Sequence, residues 1–267
     1  MESMAITFDK HPRQVLNADY QPQLLTTLDD KLKLLAETGI DHCVVLPFTK
    51  VLAVLSAYDF MDNIMRTKLG VATLLIGYDN RFGHNRSETF ADYVRYGKTC
   101  GMEVVQEPVF DDGSGRNFSS SEVRRSLIAG KIREATDILG KPYDLEGVVI
   151  HGHQLGRKLG YPTANLNPFD KDKIIPSNGV YAATVRLENG EVYPSMVNIG
   201  FRPTVDKGKP QLSVESHLIG FNGDIYGQTI VLSFIERIRD ERKMSSLEEL
   251  KSQLAKDYDT ALKIITR

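Results

Sequence analysis

Gly147-Val148-Val149-Ile150-His151-Gly152-His153-Gln154-Leu155-Gly156-Arg157-Lys158-Leu159-Gly160-Tyr161-Pro162-Thr163-Ala164-Asn165-Leu166 is the stretch on which the reading of this chain turns. It opens on a β-branched run that reads as a strand. Glycines then recur at 152, 156 and 160, so a loop can turn tightly and bring backbone N–H groups close to an anion. Arg157 and Lys158 add the positive charge that phosphate binding needs. Pro162 restricts Tyr161 and stiffens the approach. If the chain stays extended beyond it, the side chains of Thr163 and Asn165 emerge on one face. Their hard oxygens suit Mg2+, which takes few protein ligands alongside nucleotide phosphates. A glycine-rich hairpin with a polar turn would use the same residues, and the glycines alone do not separate the two readings.

Downstream, strand-like runs at 179–187, 193–199, 212–218 and 229–237 join 147–150, punctuated by turns at Glu188-Asn189-Gly190 and Phe221-Asn222-Gly223-Asp224. That pattern predicts an antiparallel barrel or sandwich. In the run 212–218, alternation places Glu215 and His217 on one face, opposite Val214 and Leu218. The chain closes on a helix: Ser246 and Glu249 fit a capping box, and Leu247, Leu250, Leu254, Tyr258 and Ala261 form one apolar face. Upstream, the rhythm differs. Strand-like runs at 4–8, 43–46, 72–76 and 103–105 alternate with helical patterns at 25–38, 58–69 and 87–101. This order predicts an α/β domain with a parallel sheet and ligands at the carboxyl ends of its strands. Residues 120–139 read as a helical stretch broken at Gly130, and the domain boundary is expected between 1–140 and 141–267.

The whole string from Gly147 to Leu166 resembles the flavokinase signature, in which a glycine-rich flap leads into Pro-Thr-Ala-Asn, here Pro162-Thr163-Ala164-Asn165. Further similar pieces follow in order: Asn178-Gly179-Val180-Tyr181-Ala182, Val197-Asn198-Ile199-Gly200-Phe201-Arg202-Pro203-Thr204, Val214-Glu215-Ser216-His217-Leu218 and Gly223-Asp224-Ile225-Tyr226-Gly227. The resemblance implies a six-stranded antiparallel β-barrel with a C-terminal helix, and transfer of the ATP γ-phosphate to the 5'-hydroxyl of riboflavin, giving FMN. It implies that Thr163 and Asn165 bind Mg2+ and nucleotide phosphate beside Gly152, Gly156, Arg157, Lys158 and Gly160. It makes Glu215 the catalytic base, a role the chemistry needs because an attacking alcohol must lose its proton. Arg239, Arg242, Met244 and Ser246 then fall in the family's flavin-contacting loop. Met244 stands where many relatives have Phe, and a thioether still packs on an aromatic ring.

The first half resembles the FMN adenylyltransferase module of bifunctional bacterial FAD synthetases, a Rossmann-like nucleotidyltransferase fold. The matching pieces are Thr7-Phe8-Asp9-Lys10-His11-Pro12, Leu46-Pro47-Phe48-Thr49, Gly77-Tyr78-Asp79-Asn80-Arg81-Phe82-Gly83 and Ser119-Ser120-Ser121-Glu122-Val123-Arg124. By that resemblance Ser120, Ser121 and Arg124 hold ATP phosphates, with Ser121 in place of the family's Thr. The family's opening motif, G-x-F-D-G-x-H-x-G-H, does not occur in these 267 residues. The domain is therefore expected to be N-terminally truncated, and adenylyl transfer to FMN to be lost or very weak. Two other readings remain: full bifunctional activity making FMN and FAD, and a non-catalytic flavin- or nucleotide-binding module.

The totals agree with a globular chain of two domains: 267 residues, 41% hydrophobic and 25% charged. With 33 basic against 35 acidic residues, the net charge of -2 gives no electrostatic basis for a nucleic-acid or anionic-membrane partner. Cys43 and Cys100 form no CxxC pair and are expected to be buried or half-buried free thiols. No apolar run approaches membrane-spanning length and the N-terminus does not read as a signal peptide, so a cytoplasmic enzyme is expected.

Overall fold

Contacts divide the chain into two compact units: Met1–Pro22 with Thr26–Arg116, and Gln23–Leu25 with Asn117–Arg267. The computed structural model describes residues 1–113, 115, 117–152, 155–202 and 211–267. His153, Gln154, Pro203 and Thr204, quoted above, lie outside them.

The first unit runs β1 (Met4–Phe8), α1 (Pro12–Leu16), α2 (Leu28–Glu37), β2 (His42–Leu46), α3 (Lys50–Ala53), α4 (Ala57–Asp59), a π-helix (Phe60–Arg66), β3 (Thr73–Gly77), α5 (Phe90–Cys100) and β4 (Glu103–Glu107). Helix starts are set by short polar side chains: Thr27 and Thr89 cap α2 and α5, each in a capping box with an Asp. The strands form two separate parallel pairs, β1–β2 and β3–β4, rather than one continuous sheet. A cleft of about 970 Å³, lined by Met4, Ile6, Val44, Leu74 and Ile76 among others, adjoins both pairs. Cys43 lies on this cleft and is exposed, against expectation, because β2 is hydrogen-bonded to β1 alone; Cys100 is half-buried as expected. The helix expected at 58–69 widens to i→i+5 bonds such as Thr67 N–H to the Asp62 carbonyl, while Phe60, Met61 and Met65 enter a core with Ile76, Tyr93 and Met102.

The second unit runs α6 (Ser120–Ile128), α7 (Ile132–Leu139), β5 (Tyr143–Ile150), α8 (Leu155–Lys158), β6 (Ala164–Pro168), β7 (Gly179–Arg186), β8 (Val192–Arg202), β9 (Gln211–Leu218), β10 (Thr229–Arg239) and α9 (Leu247–Ile265). The six strands close into an antiparallel barrel in the order β10-β5-β6-β9-β8-β7. Period-2 alternation sends Leu145, Leu166, Tyr181, Val197, Ile199, Val214, Leu232 and Phe234 into one core. Two polar side chains inside it satisfy each other: Ser216 Oγ donates to Ser195 Oγ (2.5 Å), which donates to the His217 carbonyl (3.0 Å). The opposite strand faces point outward. Val180, Ala182, Met196 and Ile219 there receive Leu254, Tyr258 and Ala261 of α9.

The helical stretch 120–139 breaks at Gly130 as the sequence indicates, and Val123, Leu127, Ile132 and Ala135 pack into the barrel core. By contacts these helices belong to the barrel unit, although they precede the boundary expected at 140/141. The short segment Gln23–Leu25 does so too: Leu24 bridges Lys173, and Arg124 Nε donates to the Gln23 carbonyl (2.7 Å). Among the described residues, no helix is long and apolar enough to cross a membrane.

Candidate functional site

On the outer face of the barrel, three polar residues lie side by side across three strands. Asn165 of β6 is opposite Glu215 of β9, which is opposite Asn198 of β8. Directly paired residues share a face, so Asn165, Glu215 and Asn198 form one row. Thr163, just before β6, donates its hydroxyl to Glu215 Oε2 at 3.3 Å. Thr163 and Glu215 are half-buried, whereas Asn165 is only 7% exposed. Thus Thr163 and Asn165, two residues apart, both stand beside Glu215, which is distant in sequence. Asn198 was not singled out by sequence reasoning, although the period of β8 sets it on the same face as Met196 and opposite Val197.

The described part of the glycine-rich flap approaches the Asn165 end of this row. A Cβ on Gly152 would stand 2.2 Å from Asn165 Nδ2, and one on Gly156 would stand 2.3 Å from the Tyr161 carbonyl oxygen. Both glycines are therefore required by close approach, while Gly160 alone of the three takes a left-handed conformation (φ +87°). Arg157 and Lys158 are exposed in the single turn of α8, inside the flap. Beside them a cavity of about 360 Å³ is walled by Arg157, Pro162, Thr163, Phe221, Asp224 and Tyr226. The Tyr226 ring lies against that of His151 (centroids 3.9 Å apart), and Asp224 Oδ1 accepts from the Tyr226 N–H (2.9 Å). Residues 221–226 read in sequence as a turn, and 223–227 belongs to the flavokinase resemblance; their place in the cavity wall comes from the barrel bringing the β9–β10 loop beside the flap.

The loop after β10 sits at the other end of the row. A Cβ on Gly200 would meet the Glu241 carboxylate, so the loop lies over β8 two residues from Asn198. Arg239 holds it there, donating from Nε to both carboxylate oxygens of Asp257 (3.0 Å each), from Nη2 to Oδ2 (2.7 Å) and from Nη1 to the Asp240 carbonyl (2.8 Å). Arg242 donates to Gln253 Oε1 (2.8 Å), Ser246 caps α9, and Met244 is half-buried. Of these four, Arg239, Arg242 and Ser246 all have polar partners within the loop or α9.

Ser119 is the residue that caps α6, accepting from the Glu122 N–H, which leaves the Ser120 and Ser121 side chains exposed in the first turn. Arg124 is on the same helix and bonds Gln23. The donor set at the barrel row fits a small hard cation: a hydroxyl, a carboxamide and a neighbouring carboxylate supply oxygen only. Among the described residues no cluster of three or more His, Cys, Asp or Glu forms a self-sufficient metal cage. A divalent ion here would need ligands brought by a substrate such as a nucleotide.

Comparison with known proteins matches two families to successive parts of the chain. Residues 1–122 match the FAD synthetase family and residues 139–265 match the riboflavin kinase family. The chain is 36% identical over 258 residues to a bifunctional riboflavin kinase/FMN adenylyltransferase of Escherichia coli, covering 97% of this chain and 81% of that protein. It is also 36% identical over 263 residues to the protein of the same description from Bacillus subtilis, with 97% and 81% covered. A crystal structure described as a macrolide-efflux protein from Streptococcus pneumoniae superposes with a TM-score of 0.86 at 29% identity, covering 98% of this chain and 83% of that one.

Proposed function

The chain belongs to the family of bifunctional riboflavin kinase/FMN adenylyltransferases, and from that premise we propose that its barrel unit phosphorylates the riboflavin 5'-hydroxyl from Mg-ATP through Glu215, Thr163 and Asn165. The observation that carries this reading is the contact between Thr163 and Glu215 in a row with Asn165, next to a cavity of nucleotide size. Glu215 accepts the proton of the attacking hydroxyl, and the Thr163 hydroxyl orients its carboxylate. Thr163 and Asn165 would hold the Mg2+, which neutralises phosphate charge in the transition state. The flap backbone at Gly152, Gly156 and Gly160, with Arg157 and Lys158, surrounds the phosphates. Riboflavin lies at the opposite end of the row, against the segment carrying Arg239, Arg242, Met244 and Ser246. In this assignment residues 141–267 are the kinase module and 1–140 the adenylyltransferase-like module.

For the second activity, Ser120, Ser121 and Arg124 are proposed as the phosphate-holding residues. These 267 residues contain no G-x-F-D-G-x-H-x-G-H motif, so adenylyl transfer by this polypeptide alone is proposed to be very weak. Both points are tested by incubating the chain with riboflavin and ATP, with and without Mg2+, and separating FMN from FAD. The expected product is FMN, only with Mg2+. FAD formation at a rate comparable to FMN would overturn the weak-adenylylation proposal. Neither product from a folded sample would favour a binding module instead.

Gly152→Ala should be nearly as damaging to this kinase as loss of a ligand. The new methyl displaces the Asn165 carboxamide, and misplacing a substrate-positioning group by ~1 Å can cost about 10²-fold in rate. Steady-state kinetics should show that loss in kcat/KM for Mg-ATP, with the riboflavin KM little changed. Wild-type kinetics would mean that Asn165 is not needed where it stands.

A further inference from the structure

His217 is buried at 7% exposure on the outer face of β9, two residues from Glu215, and the scheme above gives it no task. Its Nδ1 lies 2.8 Å from the Pro162 carbonyl oxygen. A carbonyl can only accept, so Nδ1 carries the proton and donates. Burial lowers the imidazole pKa from its usual value, against the opposing pull of the Pro162 carbonyl. Two tyrosines then fix the ring plane: Tyr161 of the flap meets it edge-on at 5.4 Å, and Tyr258 of α9 lies at 6.0 Å. Tyr161 and Tyr258 also pack edge-to-face at 6.2 Å, so one aromatic cluster fastens the flap's end to both barrel and helix.

The bonded carbonyl is that of the residue before Thr163. Fixing it fixes the peptide plane between Pro162 and Thr163, and so the origin of the Thr163 side chain that reaches Glu215. We infer that His217 is a positioning residue for phosphoryl transfer: its Nδ1–H, aligned by Tyr161 and Tyr258, sets the place of Thr163 and Asn165 relative to Glu215. The inference rests on the kinase reading above. It accounts for a polar ring in a face otherwise packed by Val180, Ala182, Met196 and Ile219. A leucine there would fill the volume but leave the Pro162 carbonyl without its donor.

The test compares His217→Asn with His217→Gln in the full chain. An Asn amide presents an N–H near the position of Nδ1, whereas Gln presents one near Nε2. With rates normalised to the folded fraction from near-UV circular dichroism, His217→Gln should lower kcat/KM for Mg-ATP about 10- to 100-fold, the scale of a small misplacement of catalytic groups. His217→Asn should restore most of it, and neither should move the riboflavin KM. A purely structural role would move all parameters together and would not separate Asn from Gln. Nitrogen-15 NMR of wild-type protein should show the imidazole protonated at Nδ1. Equal activity of the two variants, or a ring protonated only at Nε2, would overturn the inference. A wild-type chain that makes no FMN would instead sink the kinase reading itself, and the positioning role with it.

Discussion

Glu215→Gln is expected to lower kcat for FMN formation by about 10² to 10⁴, the usual contribution of a positioned general base. Glutamine keeps the shape of the side chain, and its amide oxygen can still accept from Thr163 Oγ1. What it loses is the capacity to take a proton from the ribityl hydroxyl. Because Glu215 is half-buried on an outer barrel face rather than in the core, the substitution should leave stability within about 0.5 kcal/mol, as surface changes usually do. The KM values for riboflavin and Mg-ATP should therefore stay near wild type while kcat collapses. A variant with normal kcat and a raised KM would make Glu215 a ground-state binding residue. A variant with normal kinetics throughout would remove the assigned base, and the proton would have to leave by another route.

The parts of this site that were legible in the sequence are those set by local periodicity. Alternation in 212–218 placed Glu215 and His217 opposite Val214 and Leu218, and the barrel places them so. The extended reading holds for Asn165 because β6 pairs on both sides, with β5 and β9, while Thr163 stands one residue before the strand. The glycines illustrate where local reading stops. They suggest a loop with unusual backbone angles, but at 152 and 156 the requirement is space, imposed by Asn165 and by the Tyr161 carbonyl. Neither neighbour can be known before the flap is folded. The cavity wall at 221–226 is likewise a turn in sequence, without periodicity to mark it, and acquires its place from barrel closure. In the first unit, β-α-β order foretold parallel pairing, yet which strands are hydrogen-bonded neighbours is not a property of the strands' own composition.

The ion pair beneath the end of the row proposed to receive riboflavin carries the largest expected effect on stability. Asp257 is 2% exposed and receives Arg239 through both Nε and Nη2, with Gln253 Nε2 donating to its other side at 2.7 Å. Removing one partner of such a pair leaves the other charge desolvated and alone, so Asp257→Ala should cost the barrel about 3–5 kcal/mol. Native-state hydrogen exchange of β7 amides reads this loss for the barrel unit by itself. The same Arg239 begins the loop whose Glu241 lies over Gly200, so the variant should also raise the riboflavin KM by freeing Met244 and Arg242. The two effects separate in the double variant Arg239→Met, Asp257→Leu. Replacing a buried pair by apolar side chains of similar volume is often neutral or stabilising, and exchange protection should return to near wild type. The riboflavin KM should remain high, because Arg239 no longer bonds the Asp240 carbonyl that starts the loop. If the double variant also recovers a normal KM, the pair serves the barrel alone and the loop is placed by packing. If Asp257→Ala loses less than about 1 kcal/mol, the Arg239 guanidinium finds solvent on its own, as its 21% exposure permits, and the pair is no more than a surface contact.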